Sequence, residues 1–214
     1  MIKIGKSPQP RALGEEIAKG ARIYPYDLSA KTMVLIRKKL LDDQGFICCY
    51  CQRRIPHKSK KGKFITPKSK IEHFKCQKNF PRLQLDYRNM FIACRGKGNN
   101  DEHTCDTKKE DDLLLKTDFS KAIQNNIYYT KVGEMKSFDT DLQKDIDEIL
   151  NLNEENLRVS RSAIYVAIQM TKKRLGKKPN YQTELSKLVR NIQNKNSKGQ
   201  LVEFLGTHLY FLNK

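Results

Sequence analysis

The sequence lacks any apolar run of the roughly 18–20 residues that a membrane-spanning helix needs. This absence excludes a helical membrane protein, and residues 1–22 also contain no apolar segment typical of a secretory signal. We therefore expect a cytoplasmic protein. Hydrophobic residues make up 38% and charged residues 31% of the chain, a balance that excludes compositional disorder. The 214 residues suffice for one domain or two small ones with a buried core.

Acidic residues are scarce relative to basic ones. The chain has 24 Asp and Glu against 42 Lys and Arg, which gives a net charge of +18 and a pI of about 9.7. A Lys-rich genome can produce such a balance by itself, but the charge here is concentrated locally. Residues 53–70 contain eight Lys or Arg and no acid. Residues 172–198 contain nine Lys or Arg and one acid. Two separate basic stretches favour a polyanionic partner, and nucleic acid is the first candidate.

Six cysteines are concentrated in the first half of a chain that we expect to stay reduced, so a metal site is favoured over disulfides. Cys48 and Cys51 have the two-residue spacing of a zinc knuckle. Cys94 and Cys105 are ten residues apart and would complete a tetrahedral site more loosely. Four buried, unligated thiols are the alternative, since free cysteine often behaves as a small hydrophobic residue. The zinc hypothesis assigns no ligand role to Cys49 and Cys76.

The residue patterns predict an α+β fold. We expect an irregular, surface-lying segment over 1–28, where prolines are frequent, and a helix over 30–44 with Ser29 as N-cap. Short apolar groups between Phe46 and Phe74 predict a long-looped β-hairpin. Residues 86–94 then predict a short helix that begins at Asp86.

Beyond residue 140 the periodicity predicts only helices. Asn153 is a plausible N-cap for a helix that ends at Gly176, and a last hydrophobic helix covers 201–212. This last segment is either core or a docking surface for a partner. The predicted organisation is an irregular segment over 1–29, a central unit over 30–116 and a helical region over 117–214.

Several polar residues recur in order between the cysteines. Ile71-Glu72-His73-Phe74 follows the first cysteine pair, Tyr87-x-Asn89 follows that, and Cys105-Asp106-x-x-Lys109 contains the last cysteine. With Cys48-x-Tyr-Cys51, these motifs resemble the HNH (ββα-metal) endonuclease superfamily. More narrowly, they are similar to the PtuB-type nucleases of Septu and retron anti-phage systems. The resemblance covers about residues 30–110.

The resemblance implies a ββα-metal core and a role for each motif residue. His73 would be the general base, for which a neutral imidazole suits cellular pH. Asn89 would hold the loop that carries this base. Glu72 and Asp106 would bind a catalytic Mg²⁺ or Mn²⁺, with His103 as a less favoured alternative to Asp106. Zn²⁺ would be a separate, structural ion held by Cys48, Cys51, Cys94 and Cys105.

The same resemblance implies a substrate and partners. The expected substrate is DNA, with RNA or tRNA left open, and the expected partners are an ATPase of PtuA type and a retron reverse transcriptase with its DNA. Eight basic residues are predicted to contact phosphates: Arg53, Arg54, Lys58, Lys60, Lys61, Lys63, Lys108 and Lys109. For Lys108 and Lys109 a solvated face is an equal alternative. A zinc-ribbon module that binds nucleic acid without catalysis remains the alternative to the nuclease hypothesis.

Overall fold

A computed structural model of the chain describes residues 1–56, 69–97 and 102–214. The helices are α1 (Arg11–Ala18), α2 (Ala30–Asp43), α3 (Cys105–Lys109), α4 (Thr140–Lys144), α5 (Glu155–Leu175), α6 (Tyr181–Gln193) and α7 (Leu205–Leu212). The strands are β1 (Ser69–His73), β2 (Met90–Cys94), β3 (Tyr128–Tyr129) and β4 (Met135–Lys136). The predicted α+β class is confirmed. Among the described residues, no helix has both the length and the apolar character that a membrane crossing requires.

Helix α2 confirms the prediction over 30–44. The Ser29 side chain accepts a hydrogen bond from the Thr32 N–H, as an N-cap residue does. The chain leaves the helix through Gly45 at a φ of +60°, a backbone conformation that glycine adopts without strain. Just before it, the buried Gln44 side chain bonds both the N–H and the carbonyl of Ile92. The end of α2 is thereby fixed to β2.

The partner of strand β1 differs from the prediction. β1 pairs antiparallel with β2, with Ser69 opposite Cys94 and His73 opposite Met90, rather than with the segment after Phe46. Residues 46–55 instead close on themselves, since the Ile55 N–H donates to the Phe46 carbonyl. Residues 57–68 and 98–101, which contain part of the predicted hairpin loop, lie outside the described residues.

The predicted helix over 86–94 is wrong. Asp86 caps only a single 3₁₀ turn over Tyr87–Asn89, where its side chain accepts from the Arg88 N–H. The next five residues, Met90–Cys94, form strand β2, which is buried along most of its length. Helix α3 follows β2 in sequence and packs against it. A strand buried on both faces shows no alternation of polar and apolar residues, so its sequence resembles a buried helix.

The N-terminal segment is irregular outside α1, as predicted, but several of its residues are buried rather than on the surface. Pro10 precedes α1 at a φ of −56°, which suits the start of a helix, and Leu13 of this helix is fully buried. Met1 and Ile4 are buried as well, and the Ile4 N–H donates to the Phe119 carbonyl. The segment is therefore part of the core.

The region beyond residue 140 is helical, as predicted. α5 places Leu157, Ile168 and Leu175 on its buried stripe, but Glu154 caps it and Asn153 does not. The Asn153 side chain instead bonds the Met135 backbone, and the fully buried Arg161 bonds the Gly133 and Leu152 carbonyls. These bonds hold the β3–β4 hairpin against α5.

Helix α7 belongs to the hydrophobic core. Phe204, Leu205, Phe211 and Leu212 are buried, so these residues are not available as a docking surface. The Gly206 N–H donates to the Gln52 side chain and the Phe204 N–H to the Gln52 carbonyl. One continuous cluster of buried residues includes members of all three segments of the predicted organisation.

Candidate metal centre and active site

Four cysteines meet at one point, as the spacing predicts. Cys48 and Cys51 lie in the tight turn after α2, which the Cys48 N–H closes by donating to the Arg53 carbonyl. Cys94 ends β2, and Cys105 begins α3. The four Sγ atoms lie within 4.8 Å of one another. The looser ten-residue spacing of the second pair is spanned by the connection between β2 and α3.

The sulfur separations fit a tetrahedral metal ion. Sγ–Sγ distances are 3.9 Å for Cys48–Cys105 and 3.7 Å for both Cys51–Cys94 and Cys94–Cys105. Thiolates at about 2.3 Å from a tetrahedral zinc ion stand about 3.8 Å apart. A disulfide would bring two sulfurs to about 2.05 Å. The cluster can therefore hold a metal ion and contains no disulfide.

The surroundings of the cluster favour a bound cation. Burial raises the pKa of the Cys48 and Cys105 thiols, so several thiolates can coexist here only beside a positive charge. The Arg53 guanidinium lies 3.9 Å from the Cys94 Sγ and supplies one such charge. The Cys94 N–H donates to the Cys48 Sγ at 3.3 Å. Cys49 and Cys76 are buried outside the cluster, in agreement with the prediction.

A second polar group surrounds Glu72 at the end of β1. Glu72 is 2% exposed, and its Oε1 accepts a hydrogen bond from the Tyr50 hydroxyl at 2.7 Å. The fully buried Lys109 ammonium lies 3.0 Å from the same oxygen. Burial and the neighbouring Asp106 carboxyl raise the pKa of Glu72 to about 8, against the opposing effect of Lys109. Two carboxyl groups and one ammonium thus share one site, in which Glu72 and Lys109 are buried and Asp106 is partly exposed.

The side chains around Glu72 come together because residues alternate along β1 and recur every three to four positions along α3. Lys70 and Glu72 are two residues apart in β1 and so face the same side of the strand. The Lys70 Nζ lies 3.2 Å from the Asp106 Oδ2. Asp106 and Lys109 are three residues apart and share one face of α3. The sequence suggests Tyr50 only as a residue packed under the site and Lys70 only as part of the basic stretch, and their contacts with Glu72 and Asp106 were not predicted.

His73 lies next to this group and is 6% exposed. Its Nε2 is 2.9 Å from the Gln84 carbonyl, to which a protonated Nε2 donates. Nδ1 is then the nitrogen with a free lone pair. Burial lowers the pKa of His73, while the Asp106 carboxylate partly opposes this effect. The Tyr24 ring packs edge-on against the imidazole, with centroids 4.7 Å apart.

Asn89 connects the start of β2 to the loop that follows His73. Its Oδ1 accepts from the Lys75 N–H at 2.8 Å, and its Nδ2 donates to the Lys75 and Leu83 carbonyls at 3.0 and 3.2 Å. The Phe74 N–H also donates to the Asn89 carbonyl. These four bonds fix both ends of the loop whose Gln84 carbonyl orients the imidazole.

The structure does not bring His103 into this group. His103 is exposed, and its backbone carbonyl accepts from the Asn151 side chain. Among the described residues, the cysteines form the only group of three or more His, Cys, Asp or Glu ligand atoms within 4.8 Å of one another. Glu72 and Asp106 therefore gain no third ligand from His103.

Three of the predicted phosphate-binding residues have other contacts. Lys109 is fully buried against Glu72, and Arg53 lies against the cysteine cluster. Arg54 donates to the Gly45, Phe46 and Leu201 carbonyls. Lys108 is exposed and remains free to contact phosphate. Lys58, Lys60, Lys61 and Lys63 lie outside the described residues.

In comparisons with known proteins, no family model matches the chain and no curated protein matches it. The function is therefore argued from the geometry of the two polar groups.

Proposed function

We propose that the chain is a metal-dependent nuclease of the HNH type, with β1, β2 and α3 as its ββα-metal core. The observation that carries the proposal is the arrangement around the end of β1. A buried imidazole, a carboxyl pair and an asparagine that holds the loop after His73 belong to one part of the fold, around β1, β2 and α3. Hydrolysis of a phosphodiester needs a base and a divalent-cation site in this proximity.

His73 acts as the general base in this proposal. The Gln84 carbonyl holds the proton on Nε2, so Nδ1 accepts the proton of the attacking water. Burial keeps the imidazole neutral and therefore basic at cellular pH. Asn89 keeps the loop with the Gln84 carbonyl in place and so positions the imidazole.

Glu72 and Asp106 would hold the Mg²⁺ or Mn²⁺, since hard cations prefer carboxylate oxygens. Burial and, after it, the adjoining Asp106 carboxyl raise the pKa of Glu72, and this proximity of two carboxyl groups supports a shared cation site. A bound cation would polarise the phosphate and stabilise the leaving oxygen. Lys109 and the Tyr50 hydroxyl both contact the Glu72 Oε1, so a cation on that oxygen would have to displace the Lys109 ammonium.

The four-cysteine cluster is proposed to hold a structural Zn²⁺, which joins β2, α3 and the turn after α2. Six unbridged cysteines suit the reducing cytoplasm, where we place the protein. The proposed substrate is DNA, with RNA or tRNA as the alternative, held by the exposed Lys70 and Lys108 and by the basic stretch after Arg54. By its resemblance to PtuB-type nucleases, the chain would be an anti-phage effector with a PtuA-type ATPase and a retron reverse transcriptase as partners.

A zinc-stabilised module that binds nucleic acid without cutting it is the second candidate. The observation that favours it is the Glu72–Lys109 ion pair, in which the buried Glu72 already has a cationic partner without a metal ion. Such a module would not depend on the chemistry of His73.

The deciding experiment compares the purified wild-type chain with His73→Ala on supercoiled plasmid and on total RNA, with Mg²⁺, with Mn²⁺ and with chelator. We expect metal-dependent cutting that His73→Ala reduces at least a hundredfold, the usual contribution of a general base. His103→Ala is the matched control and should cut like the wild type, because His103 is exposed and remote from the carboxyl pair.

Unchanged cutting by His73→Ala would exclude the assigned base. Binding without cutting by the wild type, repeated with a co-expressed ATPase partner, would favour the module. Loss of cutting in His103→Ala would restore His103 as the metal ligand.

A further inference from the structure

A pair of aromatic rings stands on the surface of the C-terminal half, on the β3–β4 hairpin. The Tyr128 and Phe138 rings are stacked, with centroids 4.8 Å apart and planes 26° from parallel. Tyr128 lies opposite Lys136 in the hairpin, and Phe138 follows two residues later on the same face. Phe138 is 91% exposed. The Phe138 ring is therefore open to solvent over most of its surface although it lies beside Tyr128.

The pair borders a groove of about 740 Å³, a size typical of ligand sites. Amide side chains are frequent in its lining, which includes Gln124, Asn125, Asn126, Gln193 and Asn213. The Lys3 N–H donates to the Gln124 Oε1, whereas the Gln124 NH₂ group faces no described partner. Amides present a donor and an acceptor side by side, as the edge of a nucleobase does.

Positive charge continues from this groove into a second one. Asn213 and Lys214 line both grooves, and the second, of about 580 Å³, also has Lys172 and Arg190 in its lining. Among the described residues that line the two grooves, Asp139 is the sole acid, and Lys116 pairs with it at 3.1 Å. Apart from the paired Lys116, the cations are Lys214, where the grooves meet, and Lys172 and Arg190 in the second groove, so an anion is attracted chiefly at that end of the path.

We propose that this path binds single-stranded nucleic acid, with one base stacked on Phe138, base edges on the amides and phosphates along Lys172 and Arg190. Single strands are bound in this way elsewhere, through aromatic platforms beside a basic groove. The bases of a duplex cannot stack on the Phe138 ring, because neighbouring bases already cover their faces. A neutral carbohydrate also stacks on aromatic rings but makes no use of the cations. The site lies outside the residues of the proposed active centre and does not depend on nuclease activity.

The absence of tryptophan from the chain allows a direct test. Phe138→Trp introduces one fluorophore, and a base stacked on it quenches its emission. The probes are dT₁₀, U₁₀ and a ten-base-pair duplex, added without divalent cations so that cutting does not interfere. Val132→Trp is the matched control, because Val132 is 63% exposed on the same hairpin but is not part of either groove. We expect saturable quenching by dT₁₀ or U₁₀ in Phe138→Trp and none in Val132→Trp.

Affinity measured by anisotropy of the labelled probes completes the test. Phe138→Ala should bind the preferred single strand about tenfold more weakly than the wild type, within the range that one stacked base contributes, while Val132→Ala should not. The comparison of dT₁₀ with U₁₀ identifies the polymer. Three outcomes would each overturn the proposal. They are equal quenching at both tryptophans, wild-type affinity of Phe138→Ala for the single strand, and an equal loss of affinity of Phe138→Ala for the duplex.

Discussion

At the scale of single residues, the most unusual feature is the ion pair of Lys109 and Glu72. A lysine is rarely found fully buried unless its charge is paired, and this pair receives a further hydrogen bond from Tyr50. The Coulomb attraction of such a pair offsets a large desolvation cost, so the pair is weak as a net source of stability. Removal of one partner is different, because it leaves an uncompensated buried charge.

We therefore expect Lys109→Met to lower the free energy of unfolding by about 3 kcal/mol, at the lower end of the range for a broken buried pair. The lower end applies because Glu72, whose pKa is raised to about 8, can take up a proton once the ammonium is gone. Urea unfolding followed by circular dichroism measures the change.

Two further variants test this reason for the loss. The double variant Lys109→Met/Glu72→Gln should lose less free energy of unfolding than the two single variants lose together, since no charge is then left unpaired. Lys108→Met, a change at the exposed neighbour, should stay within about 0.5 kcal/mol of the wild type. Strict additivity in the double variant would mean that the two side chains do not interact.

At the scale of elements, the cysteine cluster joins three pieces of backbone that are far apart in sequence. It connects the turn after α2, the end of β2 and the start of α3. Cys105 has a φ of +57°, a conformation that is strained for a residue with a side chain. A metal–sulfur bond at this position would help to hold that conformation.

Cys94→Ser should abolish stoichiometric zinc, because a hydroxyl is a poor zinc ligand and the four sulfurs are positioned as one set. Elemental analysis of the purified chain should give one zinc per wild-type molecule and much less than one in the variant. Cys76→Ser is the control and should keep its zinc, since Cys76 is buried outside the cluster. Full zinc content in Cys94→Ser would show that the cluster is not the metal site.

The sequence predicts some of these elements well and others poorly. Ser29 as a cap and the periodicity of α5 are local signals, and local signals identified both helices. β2 was not predicted, because a run of five apolar residues, four of them buried, fits either a strand or a helix. The β1–β2 pairing and the burial of Lys109 depend on contacts between distant residues, which no local pattern contains.

At the scale of the whole molecule, the C-terminal helix is hydrogen-bonded to the turn that carries Cys48 and Cys51. The Leu201 N–H donates to the Gly45 carbonyl, and Gln52 of the cysteine turn bonds both Phe204 and Gly206. The Tyr129 and Tyr165 rings pack against Phe211. The helical region is thus part of the fold that supports the site.

A chain that stops after Gln200 should lose cooperative unfolding together with its zinc, because it lacks the buried face of α7 and the contacts to the cysteine turn. Thermal unfolding and metal content measure both effects. Single substitutions in α7 measure the contribution of its packing to stability without removing the helix. Leu212→Ala should cost about 2–5 kcal/mol, whereas Leu209→Ala, on the half-exposed side of α7, should cost less. A truncated chain that keeps zinc and a sharp transition would show that α7 is dispensable.

The contacts between Gln52 and α7 also bear on how the protein matures during its synthesis. Translation proceeds from the N-terminus, so the cysteine turn leaves the ribosome more than 150 residues before α7, as the separation of 154 between Gln52 and Gly206 shows. Cys105 and Lys109 also emerge after the strands that they complete. In a nascent chain the cysteine turn therefore cannot reach its native support until α7 has been synthesised.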